Sequence, residues 1–257
     1  MVAIMSCSRS SITAAALAVV LQLSTLPASA NAATVRIWPI DPAIEASSKG
    51  TVVWLENRGG SDTVLQIRVM RWSQDGGSDV HAEQDEIQAS PPMVRIAPGV
   101  RQMVRLVDSG RRPRQGEQAY RILVDEVPAV TREQRDTPVA SAIRFRMRYS
   151  VPLFVAGKDV PAKTQWSSPA AVSLSCTISP DGKAVTVRNH GPIHARLADA
   201  AFGPEGSRTP LAQGLLGYVL ADSGMTWSAP SDLHADGILQ ATVNGRKQVT
   251  IGACSRE

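Results

Sequence analysis

Hydrophobic and polar residues alternate strictly in the middle of the chain, where the sequence pattern is clearest. Ile143, Phe145, Met147 and Tyr149 are large and apolar, and the three residues between them are arginines. A period of two is typical of a β-strand with two unlike faces. The pattern therefore predicts a strand over 143–155 with one apolar and one basic face. Such a strand is either an ordinary half-buried strand or an edge strand that is open to another chain.

Most of the chain after residue 33 shows short strand patterns, and no segment keeps a helical period. Turn clusters at 58–61, 75–77 and 244–245 separate apolar, β-branched runs. Such spacing is typical of immunoglobulin-like β-sandwiches. Besides 143–155, the predicted strands are 51–57, 64–72, 93–96, 100–107, 120–127, 171–178, 184–189, 194–201, 217–220, 238–243 and 248–253.

A polar segment divides the strand patterns into two sets. It covers 156–168 and is interrupted by Pro161, so we expect a domain boundary there. The sequence thus predicts an all-β chain of two immunoglobulin-like β-sandwich domains in tandem after a cleaved signal peptide. The expected parts are a signal peptide (1–32), an N-terminal domain with the edge strand (33–156), a linker (157–168) and a C-terminal domain (169–257).

The first thirty or so residues are typical of a secretory signal. Arg9 is the only charge before residue 36, an apolar run follows at 12–23, and alanines at 28, 30 and 32 fit a small-residue cleavage site. The apolar run is short for a membrane span, and no later run is long enough, so no membrane insertion is expected. The net charge of +4 is only mildly basic and gives no argument for nucleic-acid binding.

Two cysteines, Cys176 and Cys254, follow the predicted signal. In an exported protein an isolated pair is first interpreted as a disulfide, which here would close a loop of nearly eighty residues. The four histidines are dispersed and have no zinc-ligand spacing with the cysteines, so no metal site is expected. Nucleophile-elbow, phosphate-loop and H-E-x-x-H motifs are absent from the sequence. The sequence therefore favours a protein that is not an enzyme and has no cofactor.

Three stretches, taken in order, resemble a known family. They are the P-P-M-V-R-I-A-P-G motif at 91–99, the Y-R-I-L-V-D-E-V-P motif at 120–128, and the R-M-R-Y-S-V-P-L-F-V motif at 146–155. They resemble the first domain of PapD-like periplasmic pilus-assembly chaperones, and the last is most similar to the archaic subgroup that serves spore-coat-U-type pilins. The resemblance implies a periplasmic chaperone that binds, folds and caps pilin subunits by donor-strand complementation and delivers them to an outer-membrane usher.

The resemblance also implies roles for residues of the alternating strand. A pilin that lacks one strand exposes an apolar groove and unpaired edges, which the chaperone strand would cover. The apolar side chains would fill the groove, and burying each contributes roughly 1.5–3 kcal/mol. The expected donor residues are Ile143, Phe145 and Met147, with Tyr149 as a further candidate.

The family further implies basic residues that anchor the pilin's terminal carboxylate in the interdomain cleft. The candidates are Arg148, then Arg146, on the edge strand, and Arg36, the nearest base on the first strand. An ungapped comparison places Asp41, rather than an arginine, at the first anchor position. Glu126 is the expected interdomain hinge acid.

A structural pilin or adhesin built of immunoglobulin-like modules is the alternative function. A pilin would have one domain with its own donor segment near the mature N-terminus, whereas this sequence predicts two domains with the alternating strand in the middle. Co-purification separates these classes, because a chaperone carries a pilin in a one-to-one complex and an adhesin polymerises.

Overall fold

The computed structural model describes residues 35–110, 115–127, 146–168, 171–203, 208–230 and 237–256. The regular structure of these residues is almost entirely β-strand, with a short 3-10 helix at Lys163–Gln165. The predicted signal peptide and Ile143 and Phe145 lie outside the described residues. The strands are β1 (Val35–Trp38), β2 (Ala43–Ile44), β3 (Gly50–Asn57), β4 (Thr63–Asp75), β5 (Ser78–Ala82), β6 (Ile87–Ser90), β7 (Met93–Ile96), β8 (Arg101–Asp108), β9 (Glu117–Val127), β10 (Arg148–Ala156), β11 (Leu174–Ile178), β12 (Ala184–Asn189), β13 (Ala195–Phe202), β14 (Thr209–Pro210), β15 (Leu215–Val219), β16 (Gly224–Ser228), β17 (Ile238–Val243), β18 (Arg246–Ala253) and β19 (Ser255–Arg256).

Strands β1 to β10 form the first β-sandwich. One sheet has the order β1-β3-β8-β6, and the other has the order β2-β10-β9-β4-β5 with β7 beside β4. The period-two pattern of β4 explains the packing, because Leu65, Ile67 and Val69 face the core while Arg68 is exposed. Ile122 and Val124 of β9 are buried in the same cluster, so alternate residues of both strands supply one core.

Strands β11 to β19 form a second, smaller sandwich. Its sheets have the orders β16-β12-β11-β19 and β14-β13-β17-β18, with β15 beside β13. Val185, Val187 and Leu197 are fully buried between them. The predicted Cys176–Cys254 disulfide is confirmed: it lies in this core and ties β11 to the end of the chain. The predicted fold class, two tandem immunoglobulin-like sandwiches, is likewise confirmed.

A third apolar cluster joins the two sandwiches. Phe154 of β10 and Trp72 of β4 pack there against Ile193 and Leu220 from the second sandwich. Trp166 belongs to the predicted linker, yet it is buried and donates a hydrogen bond from Nε1 to the Pro161 carbonyl. Trp166 therefore makes the predicted linker part of the packing between the two sandwiches.

Among the described residues, no helix combines the length and apolar character that crossing a bilayer would require.

Candidate partner-binding edge and interdomain cleft

Strand β10 has an open side. Along its whole length it pairs with β9 in antiparallel register, from Arg148 opposite Asp125 to Ala156 opposite Glu117. On its other side, as far as the structure describes the chain, only Phe154 and Val155 pair, in parallel, with β2. Within the part of the chain that the structure describes, the outer side of β10 from residue 148 to residue 153 therefore has no partner strand. An open strand edge presents unsatisfied backbone donors and acceptors.

The hydrogen-bond pattern shows which backbone groups point outward. The Glu126 amide donates to the Met147 carbonyl over 3.1 Å, so odd-numbered residues of the edge strand pair with β9. The Phe154 amide donates in the opposite direction, to the Pro42 carbonyl over 3.4 Å. Even-numbered residues therefore direct their backbone groups to the open side. Pro152 is one of these residues. Because its backbone nitrogen faces the open side, the lack of an N–H group there removes no hydrogen bond to β9.

The side chains of β10 divide between two faces. Val151, Leu153 and Val155 are buried in the core of the first sandwich. Tyr149 shares this face and is half-buried, and its hydroxyl accepts a hydrogen bond from the Val35 amide over 3.2 Å. Met147 has the same parity, but the residue lies beyond the end of the core and is 43% exposed. Of the expected donor residues that are described, Met147 is thus free to contact a partner, whereas Tyr149 already packs inside the sandwich.

Arg148 is held by the sheet rather than directed at the cleft. Its Nε donates to Asp125 Oδ1, and Asp125 Oδ2 accepts a second hydrogen bond from Arg68 at 2.7 Å. Burial of the Asp125 carboxyl opposes ionisation, but the hydrogen bonds from Arg148 and Arg68 outweigh it and lower the pKa of Asp125. This network ties β4, β9 and the first residue of β10 together.

The expected basic anchors are not brought together. Arg36 lies on the outer face of the opposite sheet, with its guanidinium 5.6 Å from the Trp38 ring centroid. Arg146 precedes β10 and is exposed. The structure therefore does not form a two-base site from Arg36, Arg146 and Arg148.

A cleft of about 440 Å³ lies between the two sandwiches, at the end of the open edge. Aromatic rings of Phe154, Trp166 and Tyr218 line it. Its cations are Lys163, whose Nζ lies 3.2 Å from Asp41 Oδ2, and Arg196. Lys163 is neutralised by Asp41, the acid at the expected anchor position. The Arg196 guanidinium has no hydrogen-bond or ion-pair partner among the described residues, so it can receive an anion there.

The interdomain acid is Glu117 rather than Glu126. Glu117 Oε1 accepts a hydrogen bond from the His194 amide at 2.7 Å, and both its carboxyl oxygens lie 2.9 Å from His194 Nδ1. The two side chains are almost completely buried, and the His194 ring stacks on Phe154 with 3.4 Å between centroids. Glu126 lies at the opposite end of β9, beside Met147, with no contact to the second sandwich among the described residues. Among the described residues, the acid of β9 that contacts the second sandwich is therefore Glu117 and not the expected Glu126.

The second sandwich is also held by residues of the long β4–β5 hairpin. The Gln74 amide group donates to the Tyr218 carbonyl at 2.9 Å and accepts from the Leu220 amide at 2.9 Å. The Arg121 guanidinium lies 3.6 Å from the Trp72 ring centroid and 5.5 Å from that of Tyr218. These contacts hold Tyr218, one of the residues that line the cleft, against the first sandwich.

Sequence reasoning did not find Glu117, His194, Lys163 or Arg196. Each lies in a segment with an ordinary strand or loop pattern, and the pairing of Glu117 with His194 spans 77 positions. The sequence contained one weak signal of a basic residue in the cleft. An acid, Asp41, stands at the expected anchor position, and an acid there favours a cation nearby. Within the described ranges, no group of three or more His, Cys, Asp or Glu side chains could hold a metal ion.

Comparisons with known proteins agree with this architecture. The family model "Pili and flagellar-assembly chaperone, PapD N-terminal domain" matches residues 42–161. A solved complex of the CsuC chaperone with the CsuE tip subunit, from archaic chaperone-usher Csu pili of Acinetobacter baumannii, matches with 34% identity and a TM-score of 0.67, covering 88% of this chain and 100% of that chain. No match was found among curated proteins.

Two more distant structures share the fold. The Salmonella enterica SafB chaperone–SafA pilin complex matches with 16% identity and a TM-score of 0.59, covering 85% of this chain and 94% of that chain. The Pseudomonas aeruginosa CupB2 chaperone matches with 17% identity and a TM-score of 0.57, covering 86% of this chain and 100% of that chain. The identity and coverage of the archaic match, the matched family model and the two-sandwich architecture together show that the chain belongs to the non-enzymatic PapD-like family of pilus-assembly chaperones.

Proposed function

We propose that this chaperone captures pilin subunits in the periplasm by donating the open edge of β10, and that it delivers them to an outer-membrane usher. The observation that supports the proposal best is that the outer side of β10 from residue 148 to residue 153 has no partner strand among the described residues. An incomplete sandwich that lacks one strand has the complementary defect, an open edge beside an apolar groove. Pairing between the two backbones satisfies the hydrogen-bonding groups of the chaperone edge and of the pilin edge, and it requires no nucleotide.

The apolar face of the donated strand supplies the rest of the binding. Val151 and Leu153 show that odd-numbered side chains face the core of the first sandwich. Met147 continues this face outward, and Phe145 and Ile143 have the same parity in the sequence. These three side chains would extend the chaperone core into the groove of the subunit. Burying each side chain contributes roughly 1.5–3 kcal/mol to binding. The three contributions together offset the free-energy cost of association, which is several kcal/mol.

The cleft residues favour a revised site for the pilin carboxylate. Arg148 is engaged by Asp125, and Arg36 faces away from β10 on the other sheet. Arg196 lines the cleft at the end of the open edge and has no partner among the described residues. We therefore assign the carboxylate to Arg196, with Lys163 beside it. A pilin strand that runs parallel to β10 would end at this point.

Periplasmic co-expression of the tagged chain with the pilin encoded nearest to it tests the proposal. We expect a soluble one-to-one complex that Phe145→Asp abolishes, because the substitution buries a charge in the apolar groove. Arg144→Ala is the matched control, since its side chain has the opposite parity, and it should retain capture. Soluble pilin without the chaperone, or equal losses in both variants, would contradict the proposal. Retention of the complex on the usher's soluble periplasmic region tests delivery.

A further inference from the structure

The charged groups that line the interdomain cleft are unevenly partnered. Two of them are the cations Lys163 and Arg196, and Asp41 is the only acid among the described residues that line the cleft. A third basic group, the ring of His194, faces the buried Glu117 carboxylate through Nδ1. Asp41 therefore decides how much positive charge the cleft offers to a ligand.

Asp41 is held beside Lys163 by several contacts. Its Oδ2 atom lies 3.2 Å from Lys163 Nζ, and the same ammonium group donates a hydrogen bond to the Asp41 backbone carbonyl. The backbone amide of Lys163 donates to Glu45 Oε1 over 3.1 Å, which holds residue 163 against the segment that carries Asp41. The Asp41 carboxylate thus neutralises Lys163, and among the described residues Arg196 remains as the one unmatched cation of the cleft.

The strand pairing places Asp41 where a captured strand would end. On the outer side of β10 the Phe154 amide donates to the Pro42 carbonyl, and β2 pairs with Phe154 and Val155. A pilin strand added along residues 148–153, in the direction of β10, would therefore meet the segment before β2 with its last residue. Asp41 directly precedes Pro42, and its side chain lines the cleft and is 57% exposed. A negative charge thus stands beside the end of the captured chain.

This arrangement of charges suits a chain end that carries one negative charge. Arg196 can receive the terminal carboxylate through a charge-assisted hydrogen bond. A second carboxylate, on the side chain of the last residue, would meet Asp41 rather than a free cation, and like charges repel. The apolar side chains of Ile40, Phe154 and Trp166 also line the cleft, and they offer such a carboxylate no compensating charge.

We propose that Asp41 sets the charge selectivity of the cleft, so that the chaperone prefers pilins whose last side chain is uncharged and discriminates against those that end in an acid. An unfavourable charge placed against the wrong partner is a common source of specificity. The inference rests on the proposed function, because it takes Arg196 as the site of the terminal carboxylate. It also explains how an acid at the expected anchor position is compatible with capture: Arg196 supplies the attraction, and Asp41 supplies the discrimination.

Isothermal titration of the purified chaperone with two versions of the refolding pilin tests the inference. The versions differ only in the last residue, which is glutamine in one and glutamate in the other. Wild-type chaperone should bind the glutamine version about threefold more tightly or better, the size expected for the interaction of two exposed charges. Asp41→Asn should remove most of this preference by binding the glutamate version more tightly. Added salt should reduce the preference of the wild type, because it screens exposed charges.

Asp62→Asn is the matched control. Asp62 also belongs to an exposed ion pair, with Arg95 at 3.8 Å. It directly precedes β4 at the end of the sheet where Val64 lies opposite Val127, whereas the cleft lies at the other end, where Phe154 is opposite Ala119. The control should keep the preference of the wild type. Both substitutions replace an exposed carboxylate with an amide of the same shape, so both variants should fold.

The proposed function and the role of Asp41 fail in different ways. Binding of the glutamine version by Arg196→Gln as tightly as by the wild type refutes the carboxylate site itself, and the inference with it. Where Arg196→Gln weakens that binding, the carboxylate site stands and Asp41 decides. Equal affinities of the wild type for the two versions then overturn the inference, and so does a preference that Asp41→Asn retains in full.

Discussion

Replacing His194 with alanine should destabilise the protein strongly, because it leaves the Glu117 carboxylate buried without its main partner. The Glu117 side chain is 1% exposed and that of His194 is 6% exposed. The substitution removes both contacts from Nδ1 and leaves only the hydrogen bond from the backbone amide of residue 194. It also removes the ring that stacks on Phe154. Removing the partner of a buried carboxylate leaves its charge uncompensated, which costs about 3–5 kcal/mol.

Urea unfolding followed by tryptophan fluorescence measures the loss. His190→Ala is the matched control, because His190 is exposed and its side chain makes a hydrogen bond only with Ser175 Oγ among the described residues, so its change should stay within about 0.5 kcal/mol. The double variant Glu117→Gln, His194→Ala should be less destabilised than His194→Ala, since no buried charge remains. A loss below about 1 kcal/mol for His194→Ala, similar to that of His190→Ala, would refute the reasoning.

Three further predictions concern other parts of the molecule. Replacing Cys176 and Cys254 with serine should cost about 4 kcal/mol of unfolding free energy, since their 78-residue separation closes a long loop in the unfolded chain; thermal melting with and without reductant checks this. Asp125→Asn should make the stability of the protein depend less on pH under acidic conditions. The lowered pKa of Asp125 in the folded protein contributes stability above the pKa of the unfolded state, about 3.9, and this contribution is lost as the pH falls towards the pKa of the folded state. Melting temperatures between about pH 2 and pH 5 measure the difference, and parallel curves would contradict it. Arg196→Gln should weaken pilin capture about tenfold or more, because it removes a charge-assisted hydrogen bond to the pilin carboxylate. Arg188→Gln, at an exposed position of β12, is the control and should not weaken capture. Titration of both variants with the pilin measures the difference.

The sequence was most informative where apolar residues recur at every second position along a strand. The alternation before residue 155 predicted a strand, and the apolar parity agrees with the burial of Val151, Leu153 and Val155. The same pattern could not show whether the strand was open to a partner, because both an inner and an edge strand can alternate. That property depends on which strands lie beside β10. Within the described part of the chain, β2 alone lies on its outer side, and it covers only the last residues.

The charged contacts were harder to predict than the fold. Arg148 was expected at the cleft, but the register opposite Asp125 gives it a nearer acid on the neighbouring strand. Glu126 and Glu117 are both acids of β9, and only the position of the second sandwich distinguishes the one that meets His194. Arg196 became a candidate because the fold leaves it in a cleft without a partner among the described residues. Such assignments need tertiary contacts between distant positions, which local patterns do not contain.

Ser150 offers the most direct test of capture at the open edge. Its backbone N–H points to the open side, so Ser150→Pro removes a donor from that side and leaves the β9 pairing intact, as Pro152 already does. Ser150→Ala keeps the N–H and is the control. Isothermal titration of the chaperone variants with the refolding pilin should show capture by wild type and Ser150→Ala, and at least tenfold weaker capture by Ser150→Pro. Equal capture by a folded Ser150→Pro variant would contradict donation of this edge.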